Sequence, residues 1–210
     1  MKIVTIATPD WTHHVDRFVA TAETCGHDDI ESLSIPISEN GRNIHLVSDE
    51  LRMCLGDGED CLYVDPDVDV IRNLDGIPAC SEAPLLWCRS PTPIPGVDQI
   101  LSVMGLPMVE IHANNGMLYL RRDFSEEFRT AHYESQKVLR GTDKLAGLRA
   151  FNVMLAMYPD LHAEMPYKYD VIWWDVPCHD MAHAIHYCND NGKRIRPHVE
   201  WRDGCMVLVP

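Results

Sequence analysis

The chain opens on an apolar, β-branched run, Ile3-Val4-Thr5-Ile6-Ala7, which predicts a first strand broken by a turn at Thr8-Pro9-Asp10. Val15, Phe18, Val19 and Ala22 then recur at helical spacing, predicting a helix with Gly26 as its stop. Leu33, Ile35 and Ile37 alternate, predicting a second strand. Ile44, Val47, Leu51 and Leu55 form another apolar helical face, closed by Gly56. Cys61–Val64 is a third strand, and it stops at Asp65 and Asp67. This strand–helix–strand–helix–strand order predicts a parallel, doubly wound start.

Farther along, Leu85–Cys88 predicts a strand, and Pro91-Thr92-Pro93-Ile94-Pro95-Gly96 a rigid loop. Val97, Ile100, Leu101 and Met104 suit a short helix. Asn114-Asn115-Gly116 predicts a tight turn before a strand at Met117-Leu118-Tyr119-Leu120. Ser125, with Glu126 and Glu127 behind it, suits a helix start carrying Phe128 and Ala131; Leu145, Leu148, Phe151 and Leu155 mark another helix. Around Val171-Ile172-Trp173-Trp174 and Ala182–Tyr187 the pattern predicts short strands and loops. There is no internal repeat or low-complexity segment. The expected architecture is one α/β domain over residues 1–210, a Rossmann-like mixed and mainly parallel sheet flanked by helices.

With 210 residues, 46% of them hydrophobic, the chain suffices for one substantial core. No apolar stretch approaches the ~20 residues that span a bilayer, and the N-terminus reads as a strand rather than a signal peptide, so a cytoplasmic protein is expected. The net charge of −14 argues against broad binding to nucleic-acid backbones or anionic lipid. Lys193-Arg194-Ile195-Arg196 is a local basic cluster, which leaves room for a modified base as acceptor of a reaction. The eight cysteines are scattered, contain no Cys-x-x-Cys and often sit in apolar runs, as buried free thiols do in a reducing compartment.

Chemistry concentrates in Tyr63-Val64-Asp65-Pro66-Asp67-Val68. A buried strand that delivers two carboxylates to its carboxyl end places them where open α/β sheets bind ligands. On an extended chain, residues one apart point to the same side, so Asp65 and Asp67 can both reach one ion. Two carboxylates held together favour a hard divalent cation, and such a cation neutralises the charge on a departing diphosphate. The plainer reading is a solvated acidic turn, since Asp57, Glu59, Asp60 and Asp69 surround the pair.

The same segment resembles the metal-binding Asp-x-Asp of GT-A fold glycosyltransferases, closest to the retaining family 8 group that includes glycogenin and bacterial lipopolysaccharide galactosyltransferases. Asn115-Gly116-Met117-Leu118-Tyr119-Leu120 is similar to that family's Asn-x-Gly strand entry, with Asn114 as the alternative Asn. Ala184-Ile185-His186-Tyr187 followed by Gly192-Lys193 resembles its late His…Gly…Lys element, and Ile6-Ala7-Thr8-Pro9-Asp10 the first strand end that frames the nucleotide base.

The resemblance implies transfer of a hexose from a nucleotide sugar, UDP-linked, to an acceptor hydroxyl with retention. It makes residues 1–70 the nucleotide-binding half and residues 71–210 the donor-sugar and acceptor half. It also implies Mn²⁺ (or Mg²⁺) on Asp65, Asp67 and His186. Asp65 would also approach the ribose, Ala7, Thr8 and Asp10 the nucleoside, Asn115 and Gly116 the transferred sugar, and Lys193 the diphosphate. Asn152 stands where the family's helix Asn lies, without the Asp-Gln pair that usually precedes it. Asp65, Asp67 and Asn115 are the candidate catalytic residues.

Two other classes fit parts of the chain. Asp-x-Asp after a strand also opens haloacid-dehalogenase-like phosphotransferases, though there it normally ends the first strand. A non-catalytic metal- or sugar-binding module could use Asp57–Asp69. His179 and His183 would share a helical face and could bind zinc. Trp173-Trp174 is a candidate acceptor platform, and Arg89 a candidate for the phosphates or a salt bridge.

Overall fold

A computed structural model describes residues 1–35, 55, 58–122, 126, 130, 145–173, 175–188, 198–202 and 205–209. Along the chain the strands are β1 (Lys2–Ala7), β2 (Ile30–Ser34), β3 (Cys61–Val64), β4 (Val68–Val70), β5 (Leu85–Arg89), β6 (Ala113–Leu120), β7 (His162–Glu164), β8 (Val171–Ile172), β9 (Ala184–His186), β10 (His198–Arg202) and β11 (Cys205–Val209). Among the described residues, α-helices run over α1 (Thr12–Thr24), α2 (Val97–Met104) and α3 (Ala146–Met157). Among the described residues no helix is long and apolar enough to cross a membrane.

The main sheet has the order β2-β1-β3-β6-β5-β7. β1 is parallel to β2 and β3, and β5 to β7; β6 runs against both its neighbours, β3 and β5. This is the expected mixed, mainly parallel α/β sheet. A second sheet, β4-β9-β8, and a hairpin, β10-β11, complete the described strands.

Burial follows from the alternation of side chains on strands. All four residues of β3 are buried, because both faces of the sheet are covered. On one face Val4, Tyr63, Trp87, Leu118 and Leu120 pack with Phe151, Met154 and Leu155 of α3. On the other, Ile3, Leu62, Val64, Met117 and Tyr119 pack with Phe18 and Ala22 of α1 and with Val68, Val70 and Ala184 of the smaller sheet. Each fully buried Val, Leu, Ile, Phe or Met side chain among them contributes roughly 1.5–3 kcal/mol. An ion pair adds direction to this packing: Arg17 of α1 grips the buried carboxylate of Asp69 on β4 through Nε and Nη2.

Several expectations shift in detail. The second strand begins at Ile30 and ends at Ser34, because its ladder follows β1 from Ile3 opposite Ile30 to Ala7 opposite Ser34; Ile35 is buried just beyond, and Ile37 lies outside the described residues. The helix expected over Ile44–Leu55 and the stretch from Ser125 to Ala131 also fall almost wholly outside them. α1 ends as expected at Gly26, whose φ of 89° lets the chain turn back so that His27 N donates to Ala22 O. Cys25, Cys61, Cys80, Cys88, Cys178 and Cys188 are free thiols, with Cys61 and Cys88 buried.

His27 illustrates how the loops are tied to the core. Its ring is buried and Nε2 accepts a hydrogen bond from Leu74 N at 3.0 Å, a bond that protonation would abolish. Burial holds its pKa below the ordinary imidazole value. The unfolded chain therefore takes up the proton first, and the stability His27 confers is complete above pH ~6.5 and lost as pH falls through the depressed folded value. Calorimetric melts between pH 7.5 and 5.5 should show the melting temperature falling with pH, and His27→Gln should make that fall shallower.

Candidate metal centre

Past Val64 the chain must leave the main sheet for the smaller one. Asp65 N makes the last bond to β6, donating to Gly116 O at 2.7 Å. Val68 N then donates to Asp65 O at 3.2 Å, closing a four-residue turn with Pro66 second, where its fixed φ fits and its missing N–H is not needed. Asp65 and Asp67 are therefore gathered by a turn, not by strand alternation as the sequence reading expected. Tyr63, two residues before on β3 and fully buried, donates its hydroxyl to Asp65 Oδ1.

The third group arrives by strand pairing. β4 and β9 are antiparallel with Val68 opposite His186, and Tyr187 N donates to Asp67 O at 3.0 Å. This register brings His186 Nε2 to 3.3 Å from Asp67 Oδ1 and 3.7 Å from Asp65 Oδ2. His186 and Asp67 are each 4% exposed. The ring lies so close over β6 that a Cβ on Gly116 would collide with its Cε1 and Nδ1. The other ring nitrogen, Nδ1, is 3.2 Å from Asp170 Oδ1, and Asp170 is completely buried at the start of β8.

Burial alone would press the His186 pKa down, but Cys188 and the carboxylates of Asp170 and Asp67 around it raise it well above the ordinary value. Asp65, Asp67 and Asp170 stand around the His186 imidazole, a setting that suits a cation. The donors fit one. Asp65, Asp67 and His186 can each offer a ligand atom with all three atoms within 4.8 Å of one another. An octahedral ion with bonds of about 2.1 Å needs neighbouring donors about 3 Å apart, close to the 3.3 and 3.7 Å found here. Two carboxylates with an imidazole suit Mn²⁺ better than Mg²⁺, which prefers oxygen throughout. Two residues on, Cys188 takes a φ of 51°, the strained backbone often found beside functional groups.

The other expected site residues divide. Ala7 ends β1, and Thr8 and Asp10 follow it at the same edge of the sheet as Asp65; Ala7 and Thr8 are buried, Asp10 is exposed, and Thr8 donates its hydroxyl to Asp10. Asn114, Asn115 and Gly116 do not form the expected turn but lie within β6, whose ladder to β5 skips residues 115–117. Gly116 is needed for the close approach of His186, not for a positive φ. Asn115 is half-buried; it is Asn114 that meets the cluster, with Nδ2 2.9 Å from Asp170 Oδ2 and Oδ1 accepting from Gly116 N at 3.3 Å.

Asn152, expected to face a ligand, is instead a buried clamp. Its Oδ1 accepts from Ala113 N at 2.7 Å, and Nδ2 donates to Ala113 O at 3.0 Å and Leu148 O at 2.8 Å, so α3 grips the entry of β6. Lys193 and Trp174 lie outside the described residues. The zinc-helix reading fails: a 3₁₀ turn covers Val176–Met181, and His183 stands beyond it against the carbonyl of Asn73 and the ring of Tyr169. Arg89 is paired with Glu164.

Asp170 and Tyr63 were missed as partners of the centre, and Asn114 was named only as the alternative Asn of the strand entry. Tyr63 was legible, being two residues from Asp65 on one strand. Asp170 had only the weak signal of an acid abutting the apolar pair Val171-Ile172.

Gly116→Ala tests this packing. The added methyl should displace the His186 ring and weaken Mn²⁺ binding at least tenfold in a titration followed by paramagnetic resonance, as ligand-positioning changes do. The far-ultraviolet dichroism should be preserved.

No protein-family model matches the chain, and no curated protein matches it. Solved structures do. The galactosyltransferase LgtC, in complex with donor and acceptor sugar analogs, is similar over 90% of this chain and 88% of its own, with 16% identity and a TM-score of 0.68. Mouse xyloside xylosyltransferase 1 is similar over 93% and 99%, with 9% identity and a TM-score of 0.63. A glycosyltransferase involved in glycosylation of the major capsid of PBCV-1 is similar over 90% and 94%, with 14% identity and a TM-score of 0.53. At these identities the likeness is one of architecture, and the architecture is the GT-A glycosyltransferase fold.

Proposed function

We propose that this chain is a metal-dependent glycosyltransferase that moves a hexose from a nucleotide sugar, UDP-linked, to an acceptor hydroxyl with retention at the anomeric carbon. The observation that carries the reading is the convergence of Asp65, Asp67 and His186 at the carboxyl edge of a GT-A sheet. A divalent cation bound there, Mn²⁺ in first place, would neutralise the charge that grows on the departing diphosphate.

In this reading residues 1–70 form the nucleotide half, with Ala7, Thr8 and Asp10 beside the nucleoside and Asp65 also near the ribose. Residues 71–210 hold the sugar and the acceptor, with Asn115 and Gly116 beside the sugar and Lys193 on the diphosphate. Asn152 acts through β6, since both its donors are already engaged by backbone carbonyls. Retention is supported by the way the other buried carboxylates are committed. Asp69 is held by Arg17, and Asp170 by His186 and Asn114, which leaves neither to activate the acceptor as the base of an inverting attack, nor to attack the sugar as a nucleophile. Departure of the diphosphate with attack on the same face remains. The phosphotransferase reading is not favoured: the similar folds are glycosyltransferases, and Asp65 ends the third strand, not the first.

Thermal melts with UDP-, GDP-, TDP- and ADP-sugars, with and without Mn²⁺, test the proposal. A UDP-sugar with Mn²⁺ at about a hundred times its dissociation constant should stabilise by about 2.7 kcal/mol, roughly 5–10 °C for a chain of this size. Asp67→Ala and His186→Ala should each abolish the shift. The same shift in both variants would overturn the proposal.

A further inference from the structure

We propose that Asp170 is a positioning residue for the metal centre: held in place by Asn114, it fixes the hydrogen of His186 on Nδ1 and so presents the bare Nε2 between Asp65 and Asp67. This rests on the metal-dependent reading above and adds to it a residue that never touches the ion.

The argument begins with an acceptor that has nowhere else to turn. Asp170 is completely buried, and apart from its approach to His186 Nδ1 at 3.2 Å its Oδ1 has no hydrogen-bond partner among the described residues. A buried carboxylate can only accept, and leaving it without a hydrogen is costly. Its other oxygen, Oδ2, accepts from Asn114 Nδ2 at 2.9 Å. The Asn114 amide is oriented in turn, because its Oδ1 accepts from Gly116 N at 3.3 Å, which points Nδ2 at Asp170.

One contact pulls the other way. Asn114 Nδ2 is also 3.1 Å from His186 Nδ1 and, as a donor, would favour a bare Nδ1. The competition is unequal. A hydrogen bond to a charged carboxylate is about twice as strong as a neutral one, and Asn114 already has Asp170 Oδ2 to serve. Nδ1 therefore keeps its hydrogen for Asp170. The ring is also barred from rotating out of this alignment, since it lies flush against the Cα of Gly116. A histidine whose far nitrogen donates to a carboxylate is oriented, and made a more basic ligand, at the near one.

The test uses Mn²⁺ alone as probe and needs no turnover. Free Mn²⁺ is counted by paramagnetic resonance during titration of the wild-type chain, Asp170→Asn, Asn114→Ala and Asp67→Ala. ¹⁵N-histidine spectra of the Mg²⁺-loaded wild type and Asp170→Asn report which ring nitrogen carries the hydrogen. Expected are a 10- to 100-fold loss of affinity in Asp170→Asn, a smaller loss in Asn114→Ala and near-complete loss in Asp67→Ala. In the spectra, Nδ1 should carry the hydrogen in the wild type, and the population with hydrogen on Nε2 should grow in Asp170→Asn.

A purely structural role for Asp170 would lower the melting temperature without moving the tautomer, and that result overturns the inference. So does wild-type affinity in Asp170→Asn alongside loss in Asp67→Ala, which would leave the metal-dependent reading standing. Absence of Mn²⁺ binding by the wild type would overturn both. Should Asp170→Asn not fold, Asn114→Ala decides: unchanged affinity there overturns the inference.

Discussion

The short antiparallel ladder between β4 and β9 is the contact on which the centre depends. The main sheet can deliver Asp65 by itself, since that residue is still bonded to β6. It cannot deliver His186, which comes from far along the chain and is placed by standing opposite Val68 of β4 on one side and Ile172 of β8 on the other. The pairing is short, yet its residues are buried and continuous with the core beneath the main sheet, so local hydrogen bonds and apolar burial fix the same register.

That register gathers charges that would otherwise repel. Three aspartates converge on one imidazole at a nearly dry position, an arrangement that costs stability unless each charge finds a partner. The fold distributes the partners unequally. Tyr63 serves Asp65, Asn114 serves Asp170, and Arg17 removes Asp69 from the competition altogether. What these contacts frame is a vertex of oxygen and nitrogen donors, and that donor set is the chemical reason for expecting a cation there.

Much of the architecture was legible because it rests on local periodicity. β1, α1, β3, β5, α2 and α3 all lie where the apolar spacing put them, and the acidic pair at the end of β3 pointed to the edge that matters. Asn114-Asn115-Gly116 carries the composition of a turn, but its glycine answers to a ring brought from far along the chain. Asn152 reads as a polar residue waiting for a ligand, and is spent on a neighbouring strand's backbone. Asp65 and Asp67 meet by a prolyl turn that a strand pattern does not announce. The first two depend on an encounter between segments distant in sequence, and composition is silent about such encounters; the third is a local turn hidden behind a strand-like pattern.

The link Asp65-Pro66-Asp67-Val68 has a consequence for how this chain can change. It joins two sheets and also sets the spacing of two side chains, so its length serves two masters. One inserted residue would swing Asp67 off its mate and slip Val68 out of step with His186 in the same stroke. Loops elsewhere can grow or shrink, but here the molecule tolerates substitution far better than insertion, and Val68 is freer in kind than the link is in count.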